Sequence, residues 1–472
     1  MTLDSQTLIR ELTALLGEDR VVTDPEKLTE RTVDTWPLRL VQRVVGAEPV
    51  LPRLVLRPRS TEEVARALAW LNERGIPVVP YGGGSGVTGG AIPTAESVVL
   101  DLGDMNQILR LDADNMTVTV QPGVFLADLE RWVDERGFIT GHYPQSIDVA
   151  QVGGLVATFS AGQFSTKYGN IEDMLAGLEA VLPSGEVVRI EYVPRRAVGP
   201  DLRQLWVGSE GTFGVITEVT LKLFPKPADR WMQGYAVPSM RQGLAIIQRF
   251  MQAGWKPAVV RLIDYVEAAR LLQDTMPGEE ALLILLSEGP AGYAQVEGAA
   301  LDEIVRAGGG RPMGERPVEL WLERRNDVHE FDQYISMGII VDTIEVAAPW
   351  TRIADIYEQV TARLKAEVPE LLVIMGHSSH SYIQGTNLYF IFGAQPPRDP
   401  AEVERVYWSV WERVMAITRE CGGTICHHHG IGKLRARWVP EELGTAWPLL
   451  QRLKQVLDPN GIMNPGTLLP RA

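Results

Sequence analysis

The stretch PYGGGSGVTGG, residues 80–90, places six glycines in eleven positions, and the architecture of the chain can be inferred outward from it. Glycine reaches positive φ angles at little cost and leaves the backbone bare, so that successive N–H groups can converge on an anion. The stretch therefore predicts a loop that holds a phosphate group.

The pattern around this loop excludes the two commonest nucleotide-binding loops. Ser60 followed by Glu63 is a capping box, which predicts a helix with an apolar stripe from Val64 to Leu71 that ends near Gly75. Short strands are predicted at 77–80 and 98–100, with no helix pattern between them. A Rossmann loop would open directly into a helix, and a Walker loop would end in Lys-Ser or Lys-Thr. Neither feature follows this glycine run.

Composition narrows the class of protein. The chain has 472 residues with 45% hydrophobic content, enough for two or three domains, and its net charge of -15 argues against nucleic acid as a partner. No run of about 18 apolar residues occurs, and the N-terminus lacks a basic region with a cleavage site, which predicts a cytoplasmic protein. Cys421 and Cys426 are too few for a disulfide framework or a four-cysteine zinc site and are predicted to be core thiols.

Two further glycine clusters, QVGGLVATFSAG at 151–162 and VGSEGTFGVITEVTLKL at 207–223, complete a pattern. With the first loop they resemble the FAD-binding domain of the vanillyl-alcohol oxidase (PCMH-type) superfamily, and the terminal DPNGIMNPG is similar to that family's closing signature. The resemblance implies an α+β protein with a two-subdomain PCMH-type FAD-binding domain and an α/β cap domain with an antiparallel sheet. The predicted regions are an N-terminal helical segment and connection (1–50), the FAD domain (51–225), the cap (226–420) and a C-terminal segment that returns to the FAD domain (421–472).

The resemblance also implies which residues contact FAD. Covalent members carry a histidine in the first loop, where this chain has Gly84, so the FAD is expected to be non-covalent. The residues that match the family's cofactor motifs are Pro80, Tyr81, Gly82, Gly83, Gly84, Ser85, Gly86, Val87, Pro144, Gln145, Ser146, Gly153, Gly154, Thr158, Gly162, Tyr168, Glu210, Gly214 and Ile216.

Five of the seven histidines lie in two tight groups in the second half of the chain. His377 and His380 belong to GHSSHSY, and His427, His428 and His429 to ICHHHGIGKLRARW. Bunched imidazoles can bind a metal or serve as general acids and bases near neutral pH. Adjacent side chains on a strand point to opposite faces, so the triplet can serve one point only if it lies in a loop.

Two branches of the superfamily compete for this site. Flavin dehydrogenases of D-2-hydroxy acids carry Gly-His-x-Gly-Asp-Gly-Asn-x-His and Glu-His-Gly, whereas here the second histidine is missing at that spacing and His428-His429-Gly430 lacks the glutamate. No metal site is therefore predicted. The histidine triplet instead resembles that of the alkylglycerone-phosphate synthase family. Further matches in the same order are GHYPQSIDVAQVGG (141–154), YGNIEDML (168–175), VRLID (260–264), APWTR (348–352) and SYIQGTNLYF (381–390).

This second resemblance implies the exchange of the acyl group of acyl-dihydroxyacetone phosphate for a fatty alcohol through an adduct at flavin N5. Tyr389 would remove a substrate proton, its pKa lowered by nearby cations, and His428 would act on the leaving carboxylate or the alcohol. Arg261 and Arg352 would hold the phosphate. The other substrate-binding residues would be His427, His429 and Lys433, with Arg435 as a possible helper.

The same resemblance implies a homodimer and, through a lipid phosphate substrate, peripheral membrane contact. The alternative is an FAD-linked dehydrogenase or oxidase of a D-2-hydroxy acid, such as lactate or glycolate, or of another small alcohol.

Overall fold

The computed structural model of the protein describes residues 3–272 and 279–470. The strands in these residues are β1 (Val21–Val22), β2 (Leu54–Leu56), β3 (Val78–Tyr81), β4 (Val98–Asp101), β5 (Ile108–Asp112), β6 (Thr117–Val120), β7 (Phe138–Ile139), β8 (Leu175–Val181), β9 (Val187–Ile190), β10 (Val215–Lys222), β11 (Phe224–Pro225), β12 (Asp229–Val237), β13 (Val259–Ile263), β14 (Ala281–Gly289), β15 (Arg311–Gly314), β16 (Ile340–Pro349), β17 (Leu371–Ser378) and β18 (Gly385–Ala394).

The α-helices in the same residues are α1 (Ser5–Leu16), α2 (Pro25–Thr29), α3 (Pro37–Val44), α4 (Thr61–Glu73), α5 (Leu126–Asp134), α6 (Val152–Ala157), α7 (Ser165–Tyr168), α8 (Ile171–Met174), α9 (Met240–Gln252), α10 (Tyr265–Leu272), α11 (Tyr293–Ala307), α12 (Arg316–Arg324), α13 (Asp332–Ser336), α14 (Trp350–Glu367), α15 (Pro400–Glu420), α16 (Val439–Leu443) and α17 (Trp447–Leu457). None of the helices in the described ranges is both long and apolar enough to cross a membrane.

The first half of the chain forms three sheets, the smallest of which is the antiparallel pair of β7 and β11. A four-stranded sheet has the order β1-β2-β4-β3, with β2, β4 and β3 parallel, and a five-stranded antiparallel sheet has the order β5-β6-β10-β8-β9. The helix and strands predicted around the first glycine loop are confirmed as α4, β3 and β4. Ser60 Oγ accepts the N–H of Glu63 at 3.3 Å, which caps α4 as the sequence indicates.

The second half forms a seven-stranded sheet of order β15-β12-β14-β13-β17-β18-β16, in which every neighbouring pair is antiparallel, as predicted. Helices α9, α11, α14 and α15 cover one face and share its core with side chains such as Val260 and Leu262 of β13. The alternate residues of β13, Val259 and Ile263, pack on the opposite face with Phe164 of the N-terminal half. This second face is therefore turned toward the first half of the molecule.

The terminal segments connect the two halves. In the N-terminal segment (1–50), Leu8 packs beside the four-stranded sheet. Trp36 of the same segment is instead buried in the core of the seven-stranded sheet, where its indole N–H donates to Tyr407 Oη at 2.8 Å. At the other end, Met463 forms a parallel bridge with Val78. The C-terminal residues thereby lie against the strand that enters the first glycine loop.

One buried histidine lies within the N-terminal half of the chain. His142 is fully buried, and its Nε2 lies 3.2 Å from Ser160 Oγ. Burial lowers the pKa of His142 to about 3, because the charged imidazolium loses its hydration. The folded protein therefore resists protonation at a site that the unfolded chain protonates near its ordinary pKa of about 6.5.

This difference predicts a pH-dependent contribution to stability. Between about pH 6.5 and about pH 3 the unfolded chain binds the extra proton, so stability falls as pH falls. His142→Asn removes the titrating group while keeping a short polar side chain. The difference in the free energy of unfolding between wild type and variant should shrink by about 2 kcal/mol from about pH 7.5 to about pH 5, measured by urea denaturation. An equal difference at both pH values would show that His142 does not stay neutral.

Candidate active site

The three glycine-rich segments meet at one place. A side chain at Gly83 would overlap the carbonyl oxygen of Val149, and one at Gly211 would lie 2.8 Å from Pro80 Cγ. The N–H of Glu210 donates to the carbonyl of Ala157 at 2.8 Å, which joins the third segment to the end of α6. Each contact requires close backbone approach, so the glycines build one cradle from segments far apart in sequence.

The amides of the first loop remain available inside this cradle. Thr35 Oγ1 donates to the carbonyls of Ser85 and Gly86 at 3.2 and 2.8 Å, and Thr35 N donates to Gly86 O at 2.8 Å. Within the described residues, the N–H groups of 82–87 donate to no protein acceptor. A loop whose carbonyls are bound and whose amides are open suits an anionic pyrophosphate.

Two further observations fit a cofactor at this position. No atom of the described chain lies within 4 Å of a side chain built at Gly154, on the first turns of α6. The buried Oε1 of Gln151 finds no hydrogen-bond partner in the described residues, and it lies 3.3 Å from a Cβ built at Gly82. The fold and the cradle together define a flavoprotein of the class that binds FAD between two subdomains.

Several of the other predicted FAD contacts have side chains with protein partners. Gln145 Nε2 donates to the carbonyl of Asp327 at 2.8 Å, and Thr158 Oγ1 donates to that of Gly154 at 2.9 Å. Glu210 accepts the N–H groups of Ile431 and Gly432, both at 2.7 Å, and Tyr168 Oη donates to Glu288 of β14 at 2.7 Å. Both side chains thus join the FAD-binding half to the rest of the molecule. The remaining predicted contacts in the cradle segments are Pro144 and Ser146 after β7, Gly153 on α6, Gly162, and Gly214 and Ile216 at the start of β10.

A row of polar side chains crosses the second face of the seven-stranded sheet. Glu345 of β16 pairs directly with Tyr389 of β18, and Tyr389 pairs directly with His377 of β17. Directly paired residues project to the same face of a sheet, so these side chains are neighbours. The ring centroids of His377 and Tyr389 are 4.7 Å apart in a stacked arrangement.

The histidine triplet lies in a loop that Glu345 holds. Glu345 is fully buried, and its Oε1 accepts the N–H groups of His428 at 3.3 Å and His429 at 2.9 Å. The equally buried Arg435 donates to Oε1 at 2.9 Å and contacts Oε2 with its second Nη. The guanidinium of Arg435, the possible substrate helper, is thus engaged by Glu345 and by the carbonyl of Gly430 at 2.8 Å, while its buried Nε has no partner in the described residues.

The loop brings three imidazoles together. The ring centroids of His380, His427 and His428 lie 4.8 to 5.0 Å from one another. Ser165 Oγ lies 2.7 Å from His380 Nδ1, Tyr382 Oη lies 2.8 Å from His427 Nε2, and the Nδ1 atoms of His427 and His428 are 2.8 Å apart. We call His380, His427 and His428 the histidine cluster.

Burial sets the protonation of this site. It lowers the pKa of His427 to about 4 and the pKa values of His380 and His428 well below the ordinary value, so the cluster is neutral near pH 7. Burial, with the nearby Glu345 and Asp342, raises the pKa of Tyr389. The expectation of a lowered tyrosine pKa is therefore wrong, because desolvation outweighs the nearby Arg261.

The predicted substrate cations lie in different surroundings. Arg261 Nη2 is 3.1 Å from both Glu267 Oε1 and His377 Nδ1, beside the polar row, and its buried Nε has no partner among the described groups. Arg352 is exposed on the first turn of α14, and Lys433 Nζ donates to the carbonyl of Ile92. Of the cations predicted to bind substrate, Arg261 is the one that these contacts link to the histidines.

Some residues of the site escaped sequence analysis. Glu267, whose Oε2 lies 2.8 Å from His377 Nδ1, has a pKa of about 2, because Arg261 and His377 outweigh the effect of its burial. Glu345, Ser165 and Tyr382 also belong here. The one signal for Glu345 was an acidic residue inside the apolar strand sequence IVDTIEVAAP, and such a residue needs a partner when buried.

Comparisons with known proteins agree with this architecture. The chain matches the family model described as FAD binding domain over residues 52–191 and that described as FAD linked oxidases, C-terminal domain over 226–468. It is 40% identical to the uncharacterized FAD-linked oxidoreductase YgcU of Escherichia coli (strain K12), covering 100% of this chain and 99% of the relative. The chain therefore belongs to the FAD-linked oxidase family, whose cofactor is FAD.

More distant relatives fall in both branches. Alkyldihydroxyacetonephosphate synthase of Caenorhabditis elegans is 29% identical over 90% of this chain and 77% of its own length. Glycolate oxidase subunit GlcD of Bacillus subtilis (strain 168) is 28% identical over 89% of this chain and 90% of its own. A solved structure of alkyldihydroxyacetonephosphate synthase superposes with a TM-score of 0.83 at 24% identity, covering 100% of this chain and 85% of that one, which shows the shared fold.

The Glu345–Arg435 pair predicts a large effect of a small substitution. Glu345→Gln leaves Arg435 buried without its counter-ion, so the free energy of unfolding should fall by about 3 to 5 kcal/mol in urea denaturation. Glu358→Gln is the matched control, because Glu358 pairs with Arg241 on the surface, and it should cost at most about 1 kcal/mol. Equal losses in the two variants would contradict a central role for the buried pair.

Proposed function

We propose that the protein oxidises the CH–OH group of a small anionic hydroxy compound, with a 2-hydroxy acid as the substrate class. One observation carries this proposal: Arg261, with a buried Nε that lacks a partner in the described structure, contacts His377, and Tyr389 lies between His377 and the neutral His428. A guanidinium suits a carboxylate, and a neutral imidazole can accept a hydroxyl proton. The two groups needed to bind and activate such a substrate therefore lie on one face of the cap sheet.

FAD, when bound in the glycine cradle, supplies the hydride acceptor for this oxidation. The residues of the chain do the rest. Arg261 binds the carboxylate of the substrate, and Glu267 keeps Arg261 and His377 oriented. His428 accepts the hydroxyl proton, and Tyr389, which stays protonated, donates a hydrogen bond to the substrate oxygen.

Alkyl-for-acyl exchange on a dihydroxyacetone phosphate ester is the second candidate. Two observations favour it. The ring centroid of Tyr389 lies 6.0 Å from that of His428 and 5.4 Å from that of His429, and the chain is similar to the alkyldihydroxyacetonephosphate synthases. Two features count against it. The raised pKa of Tyr389 keeps this side chain protonated, and among the described residues the exposed Arg352 forms no hydrogen bond or ion pair with the histidines.

The visible spectrum of the anaerobic holoprotein separates the two candidates. D-lactate, glycolate or another 2-hydroxy acid should bleach the oxidised flavin bands, and an electron acceptor should restore them. Bleaching by acyl-dihydroxyacetone phosphate alone, reversed by a fatty alcohol without any acceptor, would replace our proposal by the exchange reaction. A flavin that responds to neither class would contradict both candidates.

Substitution of Arg261 tests the anion contact. Arg261→Gln should lower kcat/KM for the most reactive hydroxy acid by about 30-fold or more, mainly through KM, because the substrate carboxylate loses its charged partner. Arg270→Gln is the matched control: Arg270 pairs with Glu330 near the surface, and its loss should leave kcat/KM unchanged. The FAD content of both variants shows whether the fold is intact. An unchanged kcat/KM in Arg261→Gln would remove Arg261 from the site.

A further inference from the structure

The histidine cluster has the dimensions of a metal site. One ring nitrogen from each of His380, His427 and His428 can be chosen so that all three lie within 4.8 Å of one another. Three imidazoles bound to one tetrahedral ion at about 2.1 Å have ring centroids about 5.2 Å apart. The observed separations of 4.9, 4.8 and 5.0 Å are close to this value for every pair.

The hydrogen bonds at the outer ring nitrogens also suit metal ligation. Ser165 Oγ can accept from His380 Nδ1 at 2.7 Å, which leaves Nε2 of His380 for an ion, and Tyr382 Oη can accept from His427 Nε2 at 2.8 Å, which leaves Nδ1. Histidine ligands are usually fixed in this way through the nitrogen that does not bind the metal. The Nδ1 atoms of His427 and His428, 2.8 Å apart, then face one another with a lone pair each.

The charges around the cluster permit a cation. The two neighbouring guanidinium groups are each paired with a carboxylate, Arg435 with the fully buried Glu345 and Arg261 with the partly buried Glu267. A divalent ion at the cluster would therefore face no uncompensated positive charge from them. Neutral imidazoles without a carboxylate are a donor set that suits zinc and other late first-row ions rather than magnesium or calcium.

We propose that His380, His427 and His428 bind a divalent transition-metal ion, with Nε2 of His380 and Nδ1 of His427 and His428 as ligands. The ligand set differs from that of the hydroxy-acid dehydrogenase motif, because His380 and His427 lie outside that motif, and His428 stands where the motif has its glutamate. Three protein ligands leave a coordination position open for a small oxygen ligand.

As a metal ligand, His428 does not also accept the hydroxyl proton, so the role proposed for His428 above applies to the metal-free protein. The metal proposal holds for either candidate reaction and does not depend on which one the protein catalyses.

The test measures metal bound to the full-length holoprotein. After incubation with a small excess of zinc sulfate and gel filtration, wild type should retain about one zinc per FAD by mass spectrometry of the metal. His380→Ala should retain only background zinc at unchanged FAD content, and the exposed His329→Ala, as the matched control, should match wild type. Wild type without zinc, or His380→Ala with full zinc, would overturn the proposal.

Two further measurements keep the test decisive if His380→Ala does not fold. Ser165→Ala keeps all three ligands and removes only the hydrogen bond to His380, so zinc affinity should fall about 10-fold or more with the flavin spectrum unchanged. X-ray absorption at the zinc edge should show three imidazole ligands; thiolate ligands would assign the zinc to a cysteine and overturn the site. Because flavin bleaching by hydroxy acids is read separately, the metal site and the proposed reaction can fail independently.

Discussion

The buried ion pair between Glu345 and Arg435 is the interaction on which the site depends. Both side chains are fully excluded from solvent, which costs several kcal/mol for each charge unless every polar atom finds a partner. Glu345 meets this demand with the guanidinium and with the amides of His428 and His429. The pair thereby fixes the conformation of a loop that carries three adjacent histidines and has no regular secondary structure of its own.

A second buried carboxylate fixes the same loop from the other side. Glu210, in the FAD-binding half, accepts the N–H groups of Ile431 and Gly432 just after the triplet. Its burial raises its pKa to about 7, although these two hydrogen bonds lower it. The histidine loop is thus held between the cap sheet and the flavin cradle, which explains how residues from the end of the chain reach a site between the two halves.

The surroundings of each group decide what chemistry the site can do. Desolvation keeps the imidazoles of the histidine cluster neutral and Tyr389 protonated, so proton acceptors and a hydrogen-bond donor lie side by side. Arg261 lies next to them, and its buried Nε has no partner in the described residues; Nε of Arg435 shares this property, but both Nη atoms of Arg435 are bound by Glu345. This arrangement suits the oxidation of an anionic alcohol better than the removal of a proton by tyrosine, although the sequence motifs resemble the synthase branch more closely.

Local pattern was sufficient for much of the fold. Ser60 with Glu63 marked the start of α4 and the first glycine run indicated a phosphate loop, because these features depend on neighbours in sequence. The antiparallel cap sheet and the FAD cradle were implied by the resemblance that the glycine clusters carry. The sequence alone also located both groups of histidines. Their convergence, the role of Glu345 and the raised pKa of Tyr389 came only from the tertiary structure. Glu345 and Arg435 are 90 positions apart in the chain, and Ser165 and His380 are 215 apart. Burial and long-range pairing set pKa values and orient side chains, and neither can be read from local sequence.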